Sequence, residues 1–532
     1  MHNFDTLTVL SKAALRELLY KRFNNEEKKL SHIPNPSLLG SAEVAAKKIA
    51  QTIRDKKRIT LIGDYDVDGV SSSAIVVNFF NKIPYPIEAI IPNRFNDGYG
   101  ISPNILKRVD TDLIITVDNG ISAIDAADIC RQRGIELIIT DHHTPLDTLP
   151  MAYAIVNPKL NNCSYPIKEI CGAQVAWLVL ALLKKELNLD IDMKEFIDIL
   201  SIAIIADIMP LVDINRVLVK EGLKLLLHSN KPYATIIRDF LNKKSISSED
   251  IGFQIAPRLN SAGRLGDASI ALEFLTTPSP KRAYELFEQL NSLNELRKEE
   301  EAAATKEAIV LCDTNDKILV VAKELWHEGV VGIVASKLVE HFSKPAIVLS
   351  IEDGIAKGSA RSLANVNIHN LIKESSHLLF KFGGHKMAAG LSLDENHINT
   401  FRKTINKNAQ KLNNSDFISV ENIIGILQSY EIDLELLEIL EIFEPYGEAN
   451  QRPLFLVRDA DIVRLELFGK EKNHSKIIVK QSRYDNEIEL ISFKNIIKMP
   501  SNGKITCSYR VTKNEFNSKI STQLIINKIY NS

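Results

Sequence analysis

Three short apolar runs, Ile59–Ile62, Leu113–Val117 and Leu137–Thr140, are continuous rather than alternating and rich in Ile, Leu and Val. A strand that is apolar on both faces is buried on both, so these runs predict a parallel sheet with helices packed against it. Around them the spacing turns helical. Ser41 to Lys56 is amphipathic, and strand and helix signals then alternate to about Leu227, as in a doubly wound α/β layer. Phe196 to Ile205 reads as helix rather than strand. From Asp267 to about Cys312 the pattern is helical throughout, with Leu286, Leu290, Leu293 and Leu296 at three-to-four spacing, and the far half turns polar at Arg297–Glu301. That predicts a long linker helix between two lobes.

Beyond the linker, Ile318–Val321, Ala346–Ser350 and Lys357–Arg361 read as strands of a second α/β domain. From about Ile418 the rhythm changes to short β-rich runs, Leu454–Val457, Lys476–Val479, Ile488–Phe493 and Ile505–Val511, which suit a small OB-like barrel. The expected organisation is a polar N-terminal segment 1–40 with a helix near Lys12–Phe23, a parallel-sheet α/β domain 41–266, a linker helix 267–312, a second α/β domain 313–412, and a β-rich domain 413–532.

Length and composition agree with several ordinary globular domains: 532 residues exceed one core, and 45% hydrophobic with 25% charged residues indicates neither disorder nor a fibrous repeat. The net charge of −2 gives no global sign of an anionic partner. Local asymmetry does: residues Leu456–Ser532 carry 14 Lys and Arg against 8 Asp and Glu, a net +6, which leaves −8 on the rest. This tail is a candidate nucleic-acid-binding module, with a solvated basic face as the alternative. Five scattered cysteines show no zinc or disulfide spacing, and neither a secretory leader nor a membrane-spanning stretch is evident, so a soluble cytoplasmic protein is expected.

Candidate chemistry gathers where the apolar runs end. Gly63-Asp64-Tyr65-Asp66-Val67-Asp68-Gly69, Val117-Asp118-Asn119-Gly120, Thr140-Asp141-His142-His143 and Ala206-Asp207 each place acids there. In a parallel sheet the carboxyl ends of the strands share one rim, so residues far apart in sequence meet. Clustered carboxylates with imidazole and no thiolate suit a pair of hard divalent cations, Mn²⁺ or Mg²⁺. Gly63 and Gly69 would permit a tight turn, and alternate spacing would let carboxylates of the first segment face the same way. His143, which follows His142, is a candidate for contact with phosphate or protonation of a leaving oxygen. Arg94 and Tyr99 flank a Gly-rich turn, where an Arg can fork a phosphate and a Tyr can stack on a base. Gly358-Ser359-Ala360-Arg361-Ser362 and Gly383-Gly384-His385 read as a loop pair able to cradle an anion.

The Asp141-His142-His143 triplet together with the Gly63–Gly69 segment resembles the DHH phosphoesterase superfamily. Longer stretches resemble its single-stranded-DNA exonuclease branch: Asn93-Arg94-Phe95 with Gly98-Tyr99-Gly100, Ala256-Pro257-Arg258-Leu259-Asn260 with Ala262-Gly263-Arg264, and Phe382-Gly383-Gly384-His385. The resemblance implies a DHH-type parallel-sheet domain, a long linker helix, a DHH-associated second domain facing the metals across a cleft, and a C-terminal OB-like barrel. By the same resemblance Asp118 bridges two ions, Asp68, His142 and Asp207 complete one, and Asp64 or Asp66 holds the other. Arg94, Tyr99, Arg258, Arg264, Ser359, Arg361, Gly384 and His385 are the implied DNA contacts, with Arg258 and Arg264 placed in a Gly-containing loop. The implied activity is metal-dependent hydrolysis of single-stranded DNA from the 5′ end to mononucleotides, in repair and recombination, with a helicase or single-strand-binding protein as candidate recruiters.

Two other functions compete. An oligoribonuclease or cyclic-dinucleotide phosphodiesterase of the same superfamily would share the metal site, but a short substrate needs neither the basic tail nor the long linker. A non-catalytic DNA-binding scaffold would be expected to have lost metal carboxylates, and every position of the set is occupied.

Overall fold

The three continuous apolar runs form neighbouring strands of one parallel sheet. The structure, a computed structural model, describes residues 4, 7–23, 28–418, 421–481, 486–493, 495–516 and 519–530. A short strand β1 (Val9–Leu10) precedes the five strands of the first sheet: β2 (Ile59–Ile62), β3 (Glu88–Ile90), β4 (Leu113–Val117), β5 (Glu136–Thr140) and β6 (Ala154–Val156). Their order is β3-β2-β4-β5-β6, all parallel. The central strands are buried along nearly their whole length. The edge strands β3 and β6 are three residues long and partly exposed, too short to carry a pattern, and the sequence did not reveal them.

After β6 the expected alternation stops. Among the described residues no strand lies between Val156 and Leu319, and helices take over, including Gly172–Glu186 and Ile197–Ala206, whose apolar sides fill one continuous core with the sheet. The expected linker is two helices, Ser269–Thr276 and Pro280–Leu311, separated where Pro278 follows Thr277. The longer one serves both lobes. Ala283, Leu286, Phe287 and Leu290 are buried in the first core, and Ala304 and Ala308 in the second domain's.

The second sheet comprises β7 (Leu319–Glu324), β8 (Ala346–Glu352), β9 (Ile355–Arg361), β10 (Lys381–Gly384) and β11 (Ala388–Asp394), in the order β10-β11-β9-β8-β7. Only β7 and β8 pair in parallel. Neither glycine-containing segment of this domain is the expected loop. Gly358–Arg361 ends β9, and Gly383 and Gly384 end β10, with β11 between them.

The last sheet holds β12 (Ile423–Leu427), β13 (Leu454–Phe468), β14 (His474–Lys480), β15 (Ile488–Ser492), β16 (Lys504–Phe516) and β17 (Lys519–Tyr530). The circuit β13-β14-β15-β17-β16 closes through β13–β16 pairing, which makes the small barrel. Phe455 is fully buried in the core of this barrel. The N-terminal segment is not independent: β1 pairs with β12, and Leu15 and Leu19 of the helix Lys12–Lys21 are buried against Leu436, Leu440 and Phe443 of this domain. The barrel domain docks on the first domain by hydrogen bonds to its backbone, from Leu211 N to Glu448 O (2.7 Å) and from Arg216 Nη2 to the carbonyls of Ile442 and Glu444 (2.9 and 3.0 Å). Among the described residues no helix is long and apolar enough to cross a membrane.

Candidate active site

Sheet register brings the acids together. Thr116 of β4 lies opposite Ile62 of β2, and Val117 opposite Thr140 of β5, so Asp64, Asp118 and Asp141 leave their strands at one edge. Asp118 sits in left-handed backbone (φ 62°), a conformation that Asp tolerates better than most residues. Its neighbour Asn119 ties three elements, donating to the carbonyls of Ile62 and Val117 and accepting from Ile101 N at 2.9 Å.

The Gly63–Gly69 segment is a strand-to-helix turn, not an extended run. Asp66 caps the helix Val67–Phe80 by accepting from Gly69 N at 3.0 Å, and Asp68 stands in its first turn. Neither Gly63 nor Gly69 has positive φ; what excludes a side chain is close approach, since a Cβ on Gly69 would lie 2.6 Å from the Asp64 backbone. Asp68 points across to a second helix and accepts from the amides of Gly172 and Ala173 at 2.6 and 2.9 Å, the N-terminus of Gly172–Glu186. Asp207 caps the C-terminal end of Ile197–Ala206.

Three sets of ligand atoms converge within 4.8 Å: Asp64 with Asp66 and Asp118, Asp68 with His142 and Asp207, and Asp118 with His142 and His143. His142 Nε2 lies 3.2 Å from Asp118, 3.6 Å from Asp207 and 3.7 Å from Asp68. Asp118 Oδ1, Asp207 Oδ2 and both ring nitrogens of His142 are buried without a hydrogen-bond partner. Burial, and then the charges of neighbouring carboxylates, push Asp64, Asp66 and Asp118 up, and Asp207 up to about 8. Burial keeps His142 neutral, its ligating form. Mutually repelling buried oxygens beside a neutral imidazole, with orphaned donor atoms, fit divalent cations, and the oxygen-rich donor set fits Mn²⁺ or Mg²⁺.

Asp141 has a different task. It accepts from the amides of Ile121, His142 and His143 and from His143 Nδ1 at 2.8 Å. Burial alone would lower His143, but the Asp141 hydrogen bond and charge, with Asp66 and Asp207, carry it up to about 9. Its Nε2 lies 3.4 Å from the Tyr99 hydroxyl. Nothing in the sequence pointed to Gly172, Ala173 or Asn119, whose contributions are backbone amides and a packed amide side chain.

A cleft of about 830 Å³ separates this edge from the second domain, lined on one side by Arg94, Tyr99, Asp141 and His143 and on the other by Ser359, Arg361, Lys381 and Gly384. Arg361 Nη1 donates to Ser359 Oγ at 2.6 Å, and Arg94 lies over the Tyr65 ring at 5.1 Å. Arg264 reaches the same cleft, donates to Gly329 O at 3.0 Å, and is pushed down to about 10 by burial and by Arg94, Arg297 and Arg361. Arg258 and Arg264 stand on a helix, Ala256–Leu265, rather than in a loop, and the structure does not bring Arg258 to the cleft. Its guanidinium donates to Asn291 Oδ1 and Gln254 O and packs over Phe240. His385 is likewise outside the lining, exposed at the β10–β11 turn.

A second cavity, about 630 Å³, opens beside Asp207 between the first domain, the linker and the barrel domain. Ala206, Ile208, Phe253, Arg297, Arg452 and Arg510 line it, and Arg264 lines both spaces. Phe253, on a π-helical turn Ile251–Ile255, is 81% exposed.

The chain matches the DHH family N-terminal domain over residues 58–204, the DHHA1 domain over 315–411 and the RecJ OB domain over 425–528. It is 32% identical to the single-stranded-DNA-specific exonuclease RecJ of Dickeya dadantii, over 99% of this chain and 96% of that protein. It is 34% identical to RecJ of Bacillus subtilis, where the match spans 92% of this chain but 64% of the longer relative. The crystal structure of RecJ from Thermus thermophilus in complex with Mn²⁺ superposes with a TM-score of 0.84 at 28% identity, covering 99% of this chain and 79% of that one. With its three domain types in order and near full-length identity to curated relatives, the chain belongs to the RecJ family of DHH phosphoesterases.

Proposed function

We propose that this protein is a metal-dependent exonuclease that hydrolyses phosphodiester bonds of single-stranded DNA. The observation that carries the reading is the convergence of Asp64, Asp66, Asp68, Asp118, His142 and Asp207 within one edge, with orphaned carboxylate and imidazole atoms, in a chain of this family. Bound Mn²⁺ or Mg²⁺ supplies Lewis-acid polarisation of the phosphoryl group and activation of the attacking water. Asp118 belongs to two of the ligand sets, one with Asp64 and Asp66 and one with His142 and His143, and it would be the carboxylate shared by two ions, with Asp68, His142 and Asp207 holding one and Asp64 or Asp66 the other.

The remaining roles fall to the chain's own side chains. His143, held protonated by Asp141, presents Nε2–H beside Tyr99 and donates a proton to the departing oxygen. Arg94 and Arg361, with Ser359 and Arg264, bind phosphate in the cleft; the mutual repulsion of these guanidiniums is relieved by an anion. The strand reaches the metals through the cavity shared with the barrel domain, where Arg297, Arg452 and Arg510 line the way. The cleft seats the terminal nucleotide, and release of 5′-mononucleotides in the 5′ to 3′ direction is what the family resemblance implies. A role in DNA repair and recombination in the cytoplasm, with a helicase or single-strand-binding protein delivering the strand, completes the reading. The five cysteines, none of them paired, support that compartment.

Digestion of end-labelled single strands, duplexes and short oligoribonucleotides with Mn²⁺ or Mg²⁺ tests it. Stepwise loss from the 5′ end of single-stranded DNA alone is the expected result. Preference for short oligoribonucleotides or cyclic dinucleotides, or binding without cleavage, would replace the proposal with one of its two rivals.

A further inference from the structure

Two amide side chains are buried in the apolar core of the first domain and take no part in the chemistry above. Gln174 is the third residue of the helix Gly172–Glu186 and Asn215 the third of the helix Asp213–His228, and each is 2% exposed. Gln174 Nε2 donates to Asn215 Oδ1 at 2.8 Å. The other end of each amide grips backbone. Gln174 Oε1 accepts from Cys171 N at 3.1 Å, and Asn215 Nδ2 donates to Glu169 O at 2.8 Å and to Pro210 O at 3.1 Å. Ile170, Val175, Leu211, Ile214 and Leu218 belong to the same core. A buried amide is costly unless it is bonded, and a buried pair bonded at both ends fixes one arrangement of the elements it joins.

The elements joined here carry two carboxylates of one ligand set. The amides of Gly172 and Ala173, directly before Gln174, hold Asp68 at 2.6 and 2.9 Å. Pro210, whose carbonyl Asn215 holds, follows Asp207 by three residues, and the stretch between them turns at Ile208 (φ 55°) with Met209 N donating to Ile204 O at 3.1 Å. Asp68 stands in the first turn of one helix and Asp207 at the end of another, yet they converge with His142. Their like charges repel, so their spacing has to be imposed by the protein around them. Asp64 and Asp66 are held differently, each within its own turn, by Tyr65 N at 2.8 Å and Gly69 N at 3.0 Å. The amide pair therefore reaches one ligand set and not the other.

We propose that Gln174 and Asn215 are positioning residues that brace Asp68 against Asp207 and so tune the affinity of the cation held by Asp68, His142 and Asp207. The inference rests on the ligand assignment under the proposed function. Residues that orient ligands without touching the ion typically change its affinity by about ten- to a hundredfold when replaced.

Titration of the full-length protein with Mn²⁺, reading free Mn²⁺ by electron paramagnetic resonance, tests this. In Asn215→Leu one ion should bind about tenfold more weakly while the other keeps its affinity. Gln174→Met leaves the Asn215 bonds to Glu169 and Pro210 in place, so it guards against misfolding, and it should weaken the same ion. The double variant should lose no more than the worse single one, because the two amides act as one brace. Digestion of an oligothymidylate should follow the binding: kcat falls at limiting Mn²⁺, returns at saturating Mn²⁺, and KM for the strand stays unchanged. Unchanged Mn²⁺ affinities with a lower metal-free Tm would make the pair merely structural, and equal weakening of both ions would remove its selectivity; either result overturns the proposal. A wild-type protein that digests no single strands would instead overturn the underlying function.

Discussion

Asp141 holds the Nδ1 of His143 at 2.8 Å while taking three backbone amides, so one buried carboxylate sets both the position and the charge of the imidazole beside the carboxylate cluster. Removing that charge tests the general-acid role. In Asp141→Asn the imidazole loses the partner that carries it up to about 9, so its pKa falls. A group that acts protonated then fails at lower pH. The alkaline limb of the kcat profile should move toward neutrality, with a loss of about tenfold or more at about pH 8. An unshifted limb would assign the proton transfer elsewhere, and loss of bound metal in His143→Ala would make His143 a ligand, as its place in one of the three ligand sets allows.

Asp118 should trade stability for activity. Its carboxyl is buried, and Asp68, Asp66 and Asp64 all push it up, so it destabilises the metal-free fold. Asp118→Asn should cost about a thousandfold in turnover, since charge stabilisation at the reacting phosphoryl group is lost. The metal-free variant should nevertheless melt no lower than the metal-free parent, and Mn²⁺ should raise its Tm less. A lower metal-free Tm would show that the side chain supports the fold.

The same repulsion gives the metal-free protein a pH dependence of defined sign. Asp207 is raised from 3.8 to about 8, so the folded state binds the proton more tightly than the unfolded chain does. The cost of ionising it in the fold is absent below about pH 4, grows as pH rises, and is complete above about pH 8. Calorimetry of the chelated protein should therefore show Tm falling across this interval. The increment in Tm on adding Mn²⁺ should grow across the same interval, because deprotonated carboxylates bind the ion. A metal increment independent of pH would place the ions elsewhere.

What the sequence disclosed depended on how local each feature is. The acids were legible because a strand apolar on both faces must end at a polar rim, and Asp118 and Asp141 follow β4 and β5 directly. Asp207 was legible because the run before it is helical. The implied DNA contacts were less so. Arg258 and Arg264 look equivalent in sequence, but on a helix six residues correspond to about 240° of rotation, so one faces the cleft and the other the linker. Gly384 and His385 divide similarly: Gly384 stays in the sheet, where a Cβ would meet Ala388 O at 2.4 Å, and His385 passes into the turn. The amides that hold Asp68 come from a helix more than a hundred residues away, which no local pattern announces.

Arg361 provides the test of the phosphate cleft. Its guanidinium is half-spanned by Ser359 Oγ and the carbonyl of Ala360, and burial pushes its pKa down while leaving it charged. Arg361→Ala should weaken long and short substrates alike, by roughly tenfold in KM, because the contact is made at the reacting end. Arg361→Lys should recover only part, since a point charge cannot fork a phosphate. No effect on the short substrate would remove Arg361 from the cleft's function.

The barrel domain cannot be tested by C-terminal truncation alone. Cutting near Ser415 would strip β12 from β1 and expose Leu15 and Leu19, which are fully buried against Leu436, Leu440 and Phe443. Such a protein should aggregate whatever the barrel does for DNA. Removing residues 1–28 together with 413–532 takes away both halves of that core, leaving the metal ligands, the linker and the second domain in place. This paired deletion should bind long single strands more weakly and with a flatter salt dependence, because the basic β-rich segment no longer contributes to counterion release. It should still cleave a dinucleotide at a comparable rate, since every proposed metal ligand precedes Pro210. Unchanged long-strand affinity and salt slope in the soluble paired deletion would mean that the +6 charge of the segment is a solvated surface and that the strand path ends at the linker.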